Sequence, residues 1–301
     1  MTLPAAVRRR LEERFGPVRG ARPVGGGSIS SALRLELADG PAFLKHNQDA
    51  PAGMFAAEAR GLEALRHAAA DGGLRVPEVR AAFEPAEEGA PGEPGWILLE
   101  WIEPGPRGRD FGGRLGRGLA LLHRGTEGRI GWEEDGFIAT LPQPNGEAPT
   151  WAEFWRERRL EPQLRLARDA GHAPGDPRDW ERLSAGLPGL LSPGDETVPS
   201  LLHGDLWSGN VLASAAGEPC LVDPAAYLGH REVDLAMADL FGGFPDRFHA
   251  AYGEAWPLLP GYREGRRAAY QLYYLLVHVV LFGGGYVAQT RAALREALAA
   301  L

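Results

Sequence analysis

The sequence contains little cysteine and no long apolar run. Cys220 is the single cysteine in 301 residues, which excludes an internal disulfide and a zinc site built from cysteine thiolates. The most apolar stretch, Leu272 to Phe282, is interrupted by His278 and two tyrosines, and it is too short to cross a bilayer. We therefore expect a buried helix there and no membrane partner.

Positive charge is also in short supply. The 32 basic residues are outnumbered by 40 acidic ones, for a net charge of −8, and no arginine-rich run suggests a surface for nucleic acid or anionic lipid. Residues 1–16 form a charged amphipathic segment and not a signal peptide. We expect a cytoplasmic protein without a nucleic-acid partner, and the choice between monomer and dimer stays open.

Lysine is the scarcest charged residue, because it occurs once, at Lys45. In a chain that otherwise uses arginine, a lone lysine suggests a site where a compact ammonium is needed and a planar guanidinium will not serve. Retention by chance is the alternative.

The most informative segment that is present runs from His203 to Asn210 (HGDLWSGN). Asn210 follows Asp205 by five positions, and Asp223 lies beyond a predicted turn. In kinases one carboxylate accepts the proton of the attacking hydroxyl, while an amide oxygen and a second carboxylate hold Mg²⁺ on the triphosphate. The pattern predicts Asp205 as the base and Asn210 and Asp223 as metal ligands. A polar turn between strands explains any one of them, but not readily all three in this order.

Two departures from protein kinases narrow this prediction. Gly204 stands where a protein kinase has arginine before the catalytic aspartate, and Pro224-Ala225 stand where it has Phe-Gly. The arginine that reads activation-loop phosphorylation and the pivot after the metal ligand are therefore missing. We infer a kinase for a small substrate without that switch.

A glycine-rich turn precedes the lone lysine. The turn lies between two predicted strands, and Asp39-Gly40 then favours a hairpin that leads into a strand ending at Lys45. Glycines allow backbone amides to approach phosphate oxygens, so we expect a lid over the ATP phosphates, with Lys45 on the α and β phosphates. The candidate phosphate-binding residues of this turn are Gly25, Gly26, Gly27, Ser28 and Ser30.

A helix predicted from Met54 to Ala69 places Glu58 on its apolar side. A carboxylate there needs a partner, and Lys45 is the natural one, because a Lys–Glu pair directs the ammonium toward phosphate. A solvated position at the edge of the apolar stripe is the alternative. The buried strand that follows, Trp96 to Ile102, ends in the predicted hinge, and backbone groups of Glu100, Trp101 and Ile102 are expected to receive adenine.

The remainder of the chain is predicted to be mainly helical. Asp234 is expected to anchor the backbone of the catalytic loop, or to act as an acidic residue at a helix N-terminus. His123 is interpreted as a polar helix residue, and Phe137 to Asn145 as a loop. The predicted helices are Leu115 to His123, Trp151 to Leu166, Asp179 to Leu187, one from Val233, Arg266 to Phe282 and Thr290 to Ala300.

Four motifs stand out along the chain: GGGSIS at Gly25 to Ser30, LPQPN at Leu141 to Asn145, HGDLWSGN at His203 to Asn210, and DPAAYLGHREVDLAMADLFGGF at Asp223 to Phe244. They give the chain a resemblance to the fructosamine kinase (ketosamine 3-kinase) family, over nearly its whole length. One departure is Ser28, where many members have a cysteine, and it concerns only thiol-based redox control of that turn.

The resemblance implies an α+β, two-lobed protein-kinase-like fold, related to aminoglycoside and choline kinases. A small N-terminal lobe, 1–102, would carry an antiparallel sheet and one key helix, and a larger helical lobe, 103–301, would carry catalysis and substrate. It also implies ATP- and Mg²⁺-dependent phosphorylation at O3 of a ketosamine, free or attached to protein lysine, followed by release of the amine, which is deglycation.

The substrate pocket is less well defined by the sequence. Trp207, next to the predicted base, is a candidate for packing on the sugar, although a purely structural role is equally consistent with its position. Two other functions stay open: a kinase for an aminoglycoside or choline, and a non-catalytic nucleotide-binding module of kinase shape. The second is disfavoured because base, metal ligands and lysine are all present.

Overall fold

The computed structural model describes residues 2–25, 29–69, 72–85, 93–124, 128–192 and 199–301. Helices and strands alternate in the first third, and helices dominate after it. The helices are α1 Ala5–Phe15, α2 Met54–Ala68, α3 Phe111–Arg124, α4 Trp151–Phe154, α5 Glu161–Asp169, α6 Pro177–Leu190, α7 Glu232–Phe241, α8 Asp246–Ala255, α9 Arg267–Phe282 and α10 Val287–Ala299. The strands are β1 Gly20–Pro23, β2 Ser31–Leu37, β3 Gly40–Asn47, β4 Val79–Phe83, β5 Gly95–Glu100, β6 Gly136–Ile138, β7 Leu141–Gln143, β8 Ser200–Leu202, β9 Val211–Ala213, β10 Pro219–Leu221 and β11 Tyr227–Gly229.

A five-stranded antiparallel sheet holds the N-terminal part together, with the strand order β1-β2-β3-β5-β4. Leu33 and Leu35 of β2 alternate with polar residues, so they point to one face and are fully buried. Val7 and Leu11 of α1 pack in the same hydrophobic cluster. Helix α1 therefore covers one face of the sheet and closes a small core.

Helix α2 covers part of the sheet and also reaches the helical part of the chain. Its buried residues Phe55, Leu62 and Leu65 belong to the larger hydrophobic core, which continues into α3 and α9. A Cβ atom added at Gly61 would lie 3.1 Å from the side chain of Ala226, so glycine permits this close approach. The helix thus connects the sheet to the loops of the active site.

The helical part is built around α3, α8, α7 and α9. Helices α3 and α8 cross closely, because a Cβ atom at Gly116 would lie 2.2 Å from the carbonyl oxygen of Phe248. Trp155 and Tyr270 are fully buried and pack edge to face, with ring centroids 5.0 Å apart. In the portions described, no helix combines the length and apolar character required to span a membrane.

Most predicted elements are present, but two predictions need correction and one helix was not predicted. The segment predicted as a loop from Phe137 to Asn145 contains the hairpin β6–β7, whose strands are too short for a clear alternation. The single helix predicted from Trp151 to Leu166 is divided into α4, a π-helical turn at Trp155–Leu160, and α5. Helix α8 was not predicted, because Gly253 and the polar residues of this segment weaken its helical pattern.

Candidate active site

The catalytic loop begins where β8 ends, and Asp234 of α7 holds its first turn. Oδ2 of Asp234 accepts the backbone N–H of His203 at 2.7 Å, and Oδ1 accepts that of Gly204 at 2.8 Å. Asp234 is fully buried, so these charge-assisted bonds form away from water. The anchoring contacts expected of this aspartate are therefore present.

Asp205 and Asn210 lie side by side in the loop. The carboxamide nitrogen of Asn210 donates to Oδ2 of Asp205 at 3.2 Å and to the Asp205 carbonyl oxygen at 3.0 Å. It also lies 3.3 Å from the carbonyl oxygen of Asp223. Because the nitrogen faces these acceptors, the amide oxygen points away from them and is available as a ligand.

The loop that carries Asp223 packs directly on the catalytic loop. Asp223 has a φ of 54°, a left-handed conformation that costs a non-glycine residue on the order of 1 kcal/mol. The N–H of Ala225 donates to the His203 carbonyl oxygen at 2.9 Å. A Cβ atom at Gly204 would lie 2.0 Å from the Ala225 carbonyl oxygen, so no side chain, arginine included, fits at that position without rearrangement.

Lys45 reaches this loop from strand β3. Its Nζ atom lies 2.9 Å from Oε2 of Glu58 and 3.2 Å from Oδ1 of Asp223. Glu58 is buried on α2, on the apolar side that the helical spacing predicts. The strand, the helix and the loop therefore bring one ammonium and two carboxylates together.

Burial sets the protonation behaviour of these groups. Burial, and secondarily the charge of Asp223, raises the pKa of Asp205 to about 7. Burial likewise raises the pKa of Glu58 to about 7, although Lys45 opposes that shift. Burial disfavours the charged form of Lys45, but Asp223 and Glu58 outweigh it and raise its pKa above the usual range. A carboxylate with a pKa near neutrality is well matched to accept a proton at physiological pH.

The predicted nucleotide-binding residues are only partly within the described structure. Gly25 and Ser30 flank the glycine-rich turn, and Gly26, Gly27 and Ser28 lie outside the described residues. At the predicted hinge, Glu100 ends β5, and its carboxylate pairs with Arg75.

The indole N–H of Trp101 donates to Glu103 at 2.8 Å, and the side chain of Ile102 is buried. These side chains are engaged with the protein itself, so any contribution of the hinge to adenine binding comes from its backbone.

Trp207 projects beside the predicted base. Its indole folds over Gly209, where a Cβ atom would lie 2.2 Å from the ring, and 38% of the residue is exposed. Helix α9 contacts the same loop, since Tyr274 donates to the Gly204 carbonyl oxygen at 2.8 Å. A group of aromatic side chains from α7, α9 and the following turn packs around His278, one turn further along α9. The group comprises Phe241, His278, Phe282 and Tyr286.

His123 is a site-supporting residue that the sequence interpretation missed. It is buried, with Nε2 lying 3.2 Å from Oδ2 of Asp234 and Nδ1 lying 2.9 Å from the Tyr252 hydroxyl. Because the carboxylate only accepts, Nε2 carries the proton and the tyrosine hydroxyl donates to Nδ1. The available signal was the place of His123 beside Leu122 and Leu119 on the apolar face of α3.

An antiparallel sheet with a strand-borne lysine, packed on a helical part that carries the HGD loop, is the architecture of kinase-like phosphotransferases. A family model described as fructosamine kinase matches residues 4–300. A probable ketoamine kinase of Synechocystis sp. is 41% identical over 291 residues, covering 96% of this chain and 91% of that protein. A chloroplastic protein-ribulosamine 3-kinase of Arabidopsis thaliana is 38% identical over 268 residues, covering 87% and 78%.

Solved structures agree with these relatives. A candidate fructosamine-3-kinase from Thermobifida fusca superposes with a TM-score of 0.82 at 38% identity, covering 97% of this chain and 98% of that one. A mutant aminoglycoside phosphotransferase in complex with ADP and hygromycin B has a TM-score of 0.60 at 17% identity, covering 97% and 99%, and shares the fold.

The chain therefore belongs to the fructosamine kinase family. It is a kinase, a phosphotransferase that acts on a hydroxyl group, and ATP use follows from that membership. The α+β kinase-like fold and the family expected from the sequence are confirmed.

Proposed function

We propose that this protein transfers the γ-phosphoryl group of ATP to the O3 hydroxyl of a ketosamine, such as a fructosamine or ribulosamine. The observation that carries the proposal is the meeting of Asp205, Asn210, Asp223 and Lys45 at one place, in a chain of this family. Relatives named ketoamine kinase and protein-ribulosamine 3-kinase support the substrate class and the O3 position.

Asp205 acts as the base in this proposal. Its carboxylate is held by Asn210, and its pKa of about 7 allows it to take the proton of the acceptor hydroxyl as the new O–P bond forms. The bond between the γ-phosphorus and the bridging oxygen breaks, and ADP leaves. Since phosphoryl transfer depends mainly on positioning and charge neutralisation, the fixed loop contributes more than the basicity of one group.

Asn210 and Asp223 are the proposed Mg²⁺ ligands, and their chemistry fits that ion. Mg²⁺ prefers hard oxygen ligands and is usually held by one or two carboxylates together with substrate phosphates. In the described residues no group of three or more His, Cys, Asp or Glu side chains could enclose an ion, which suits a metal that shares its ligands with a nucleotide. When bound, Mg²⁺ would neutralise charge on the transferring phosphates.

The other parts of the site receive the nucleotide and the acceptor. Lys45, oriented by Glu58, is proposed to contact the α and β phosphates under the glycine-rich turn, and the backbone from Glu100 to Ile102 to receive adenine. Trp207 is proposed to pack on the sugar, because an exposed indole beside the base offers an apolar face to a sugar ring.

The chain is proposed to be divided into a part that binds the nucleotide and a part that binds the acceptor. We assign ATP binding to residues 1–102 and catalysis and acceptor binding to residues 103–301.

The cytoplasm is the proposed compartment, since the single cysteine is buried and provides no extracellular disulfide framework. The acceptor is a ketosamine that is either free or attached to a protein lysine, and its phosphorylation is proposed to lead to deglycation.

The test is Mg²⁺-dependent ADP release by the purified protein with fructosyl-lysine and ribulosyl-lysine, compared with choline and an aminoglycoside. Asp205→Asn serves as the blank, and NMR of the product identifies the phosphorylated oxygen. Turnover restricted to the ketosamines, with phosphate on O3, is the expected result. Turnover with choline or the aminoglycoside alone, or with none of the four, contradicts the proposal.

A further inference from the structure

The LPQPN motif has no role in the chemistry described so far, although it lies next to the active site. The motif forms strand β7 and the residues after it, and it folds back on β6 in the hairpin. Gln143, at the end of β7, is 1% exposed. A buried carboxamide is costly unless its donors and acceptor are paired, so its partners are informative.

Gln143 connects α9 to the loop that carries Asp223. Its Nε2 atom donates to the carbonyl oxygen of Ala225 at 3.0 Å, and its Oε1 atom accepts the hydroxyl of Tyr273 at 2.9 Å. A carbonyl oxygen only accepts and the tyrosine hydroxyl donates here, so both contacts agree on one orientation of the amide. Tyr273 is itself fully buried, so its hydroxyl holds the amide oxygen of Gln143 in place.

Ala225 is the point where the Asp223 loop is tied to the catalytic loop. Its N–H donates to the His203 carbonyl oxygen, and its own carbonyl oxygen faces Gly204 and receives Gln143. Two residues earlier, Asp223 has a left-handed φ of 54°. Such a conformation persists only where the surrounding contacts fix it, and the Gln143 bond is one of those contacts.

The hairpin that presents Gln143 is held by the helical segment of α4, the π-helical turn and α5. Arg159 is fully buried and donates to the Pro144 carbonyl oxygen at 2.5 Å and to Oδ1 of Asn145 at 2.8 Å. Gln163 of α5 donates to the Pro142 carbonyl oxygen at 3.4 Å. The residues on both sides of Gln143 are thus fixed, and they hold its amide in position against the carbonyl oxygen of Ala225.

We infer that Gln143, braced by Tyr273, is a positioning residue that holds the Asp223 loop in the conformation required to bind the metal–nucleotide complex. The inference rests on the proposed function, because it takes Asp223 to be a Mg²⁺ ligand. Gln143 is 1% exposed, so it offers almost no surface to a nucleotide or an acceptor. Its effect is therefore on how tightly the metal and nucleotide bind together.

The test compares Gln143→Met with Gln163→Met. Both variants replace a buried glutamine that donates to a backbone carbonyl near the same hairpin, but only Gln143 contacts the Asp223 loop. The measurement is the Mg²⁺ concentration that gives half-maximal binding of a fluorescent ATP analogue, which does not depend on turnover or on a ketosamine. Thermal unfolding of each variant without Mg²⁺ reports the purely structural part of the change.

Gln143→Met is expected to raise the half-maximal Mg²⁺ concentration about tenfold, the size of effect that follows loss of one buried hydrogen bond. Gln163→Met is expected to stay within about twofold of the unmodified protein, because Arg159 still holds the hairpin at Pro144 and Asn145 and Gln143 keeps its own bond to Ala225. If Gln143→Met fails to fold, Tyr273→Phe replaces it, with a smaller shift in the same direction. Equal Mg²⁺ dependence in the Gln143 and Gln163 variants overturns the inference.

Asp223→Asn separates this result from the proposed function. A large loss of Mg²⁺-dependent binding in Asp223→Asn, together with no shift in Gln143→Met, overturns the role of Gln143 alone. Unchanged Mg²⁺ dependence in Asp223→Asn overturns the metal assignment itself, and the role of Gln143 with it.

Discussion

The ammonium of Lys45 lies 3.2 Å from the carboxylate of Asp223, which it reaches across the space between the sheet and the helical part of the chain. The same ammonium lies 2.9 Å from Glu58. One positive charge therefore contacts a buried carboxylate on α2 and a half-exposed carboxylate on the Asp223 loop. Its removal is expected to affect both stability and nucleotide binding, and the choice of substitution separates the two effects.

Lys45→Met is expected to lower the free energy of unfolding by about 3 kcal/mol, because breaking a buried pair leaves Glu58 without its counter-charge. Lys45→Arg keeps a positive charge and is expected to lose much less stability, yet to raise KM for ATP, since a planar guanidinium does not replace a compact ammonium on phosphate. Urea denaturation and steady-state kinetics give the two quantities. Equal stability of the Met and Arg variants argues against the buried pair.

Asp205→Asn is expected to lower kcat by about 10³-fold while leaving ATP binding intact, because the amide cannot accept the proton of the hydroxyl. The substitution keeps the shape of the side chain, so the loop should be retained. Single-turnover kinetics and calorimetric titration with MgATP measure the two effects. Turnover above about a tenth of that of the unmodified protein is too large for a missing base and contradicts the assignment.

The pH dependence of kcat/KM is expected to follow Asp205. Burial raises the pKa of this carboxyl to about 7, and the base works only when it is unprotonated. The rate should therefore fall about tenfold for each pH unit below that value. A profile that stays flat down to pH 5 excludes Asp205 as the titrating base.

The same raised pKa has a consequence for stability. In the unfolded chain an aspartate loses its proton near pH 4, whereas in the folded protein Asp205 keeps it until about pH 7. The proton stabilises the native state between these values, so this contribution falls as pH rises through the interval. At pH 8 the unmodified protein has lost this stabilisation, because its buried carboxylate is ionised, whereas the amide of Asp205→Asn carries no charge at any pH. Asp205→Asn should therefore unfold several degrees higher than the unmodified protein at pH 8, with little difference at pH 4. Thermal unfolding at both values tests the sign.

Trp207→Ala is expected to raise KM for the ketosamine about tenfold without changing KM for ATP, because the indole is proposed to pack on the acceptor sugar. Leu212→Ala is a matched control, since Leu212 is 40% exposed and Trp207 is 38% exposed, and Leu212 lies beyond the catalytic loop on β9. Initial rates with each substrate varied give both constants. A rise in KM for ATP instead places the indole on the nucleotide side.

Much of the fold and part of the site could be predicted where the signal is local. The alternation of leucines in β2 and the placement of Glu58 on the buried face of α2 follow from the periods of strand and helix. Asp205 and Asn210 lie together because they are only five positions apart in one short loop. The division into an ATP-binding lobe and a catalytic lobe at residue 102 stays a prediction.

Contacts between distant residues could not be predicted in this way. His123 meets Asp234 across 111 positions, and Gln143 meets Ala225 across 82. Neither residue shows a pattern that identifies its partner, because a position on the apolar face of an element predicts burial but not which distant side chain packs against it. The hairpin β6–β7 was missed for a related reason, since its short strands are stabilised by Arg159 and Gln163 from another part of the chain.

The sequence by itself determined which chemical groups are present and in what order: one lysine, the side chains of Asp205, Asn210 and Asp223 within a short span, and the motifs that define the family. These are properties of residue type and local spacing. The tertiary structure alone decided the pKa values of those groups, because desolvation and the nearness of other charges depend on packing. Burial gives Asp205 a pKa of about 7, and the close approach of Gly204 to Ala225 fixes the Asp223 loop on the catalytic loop.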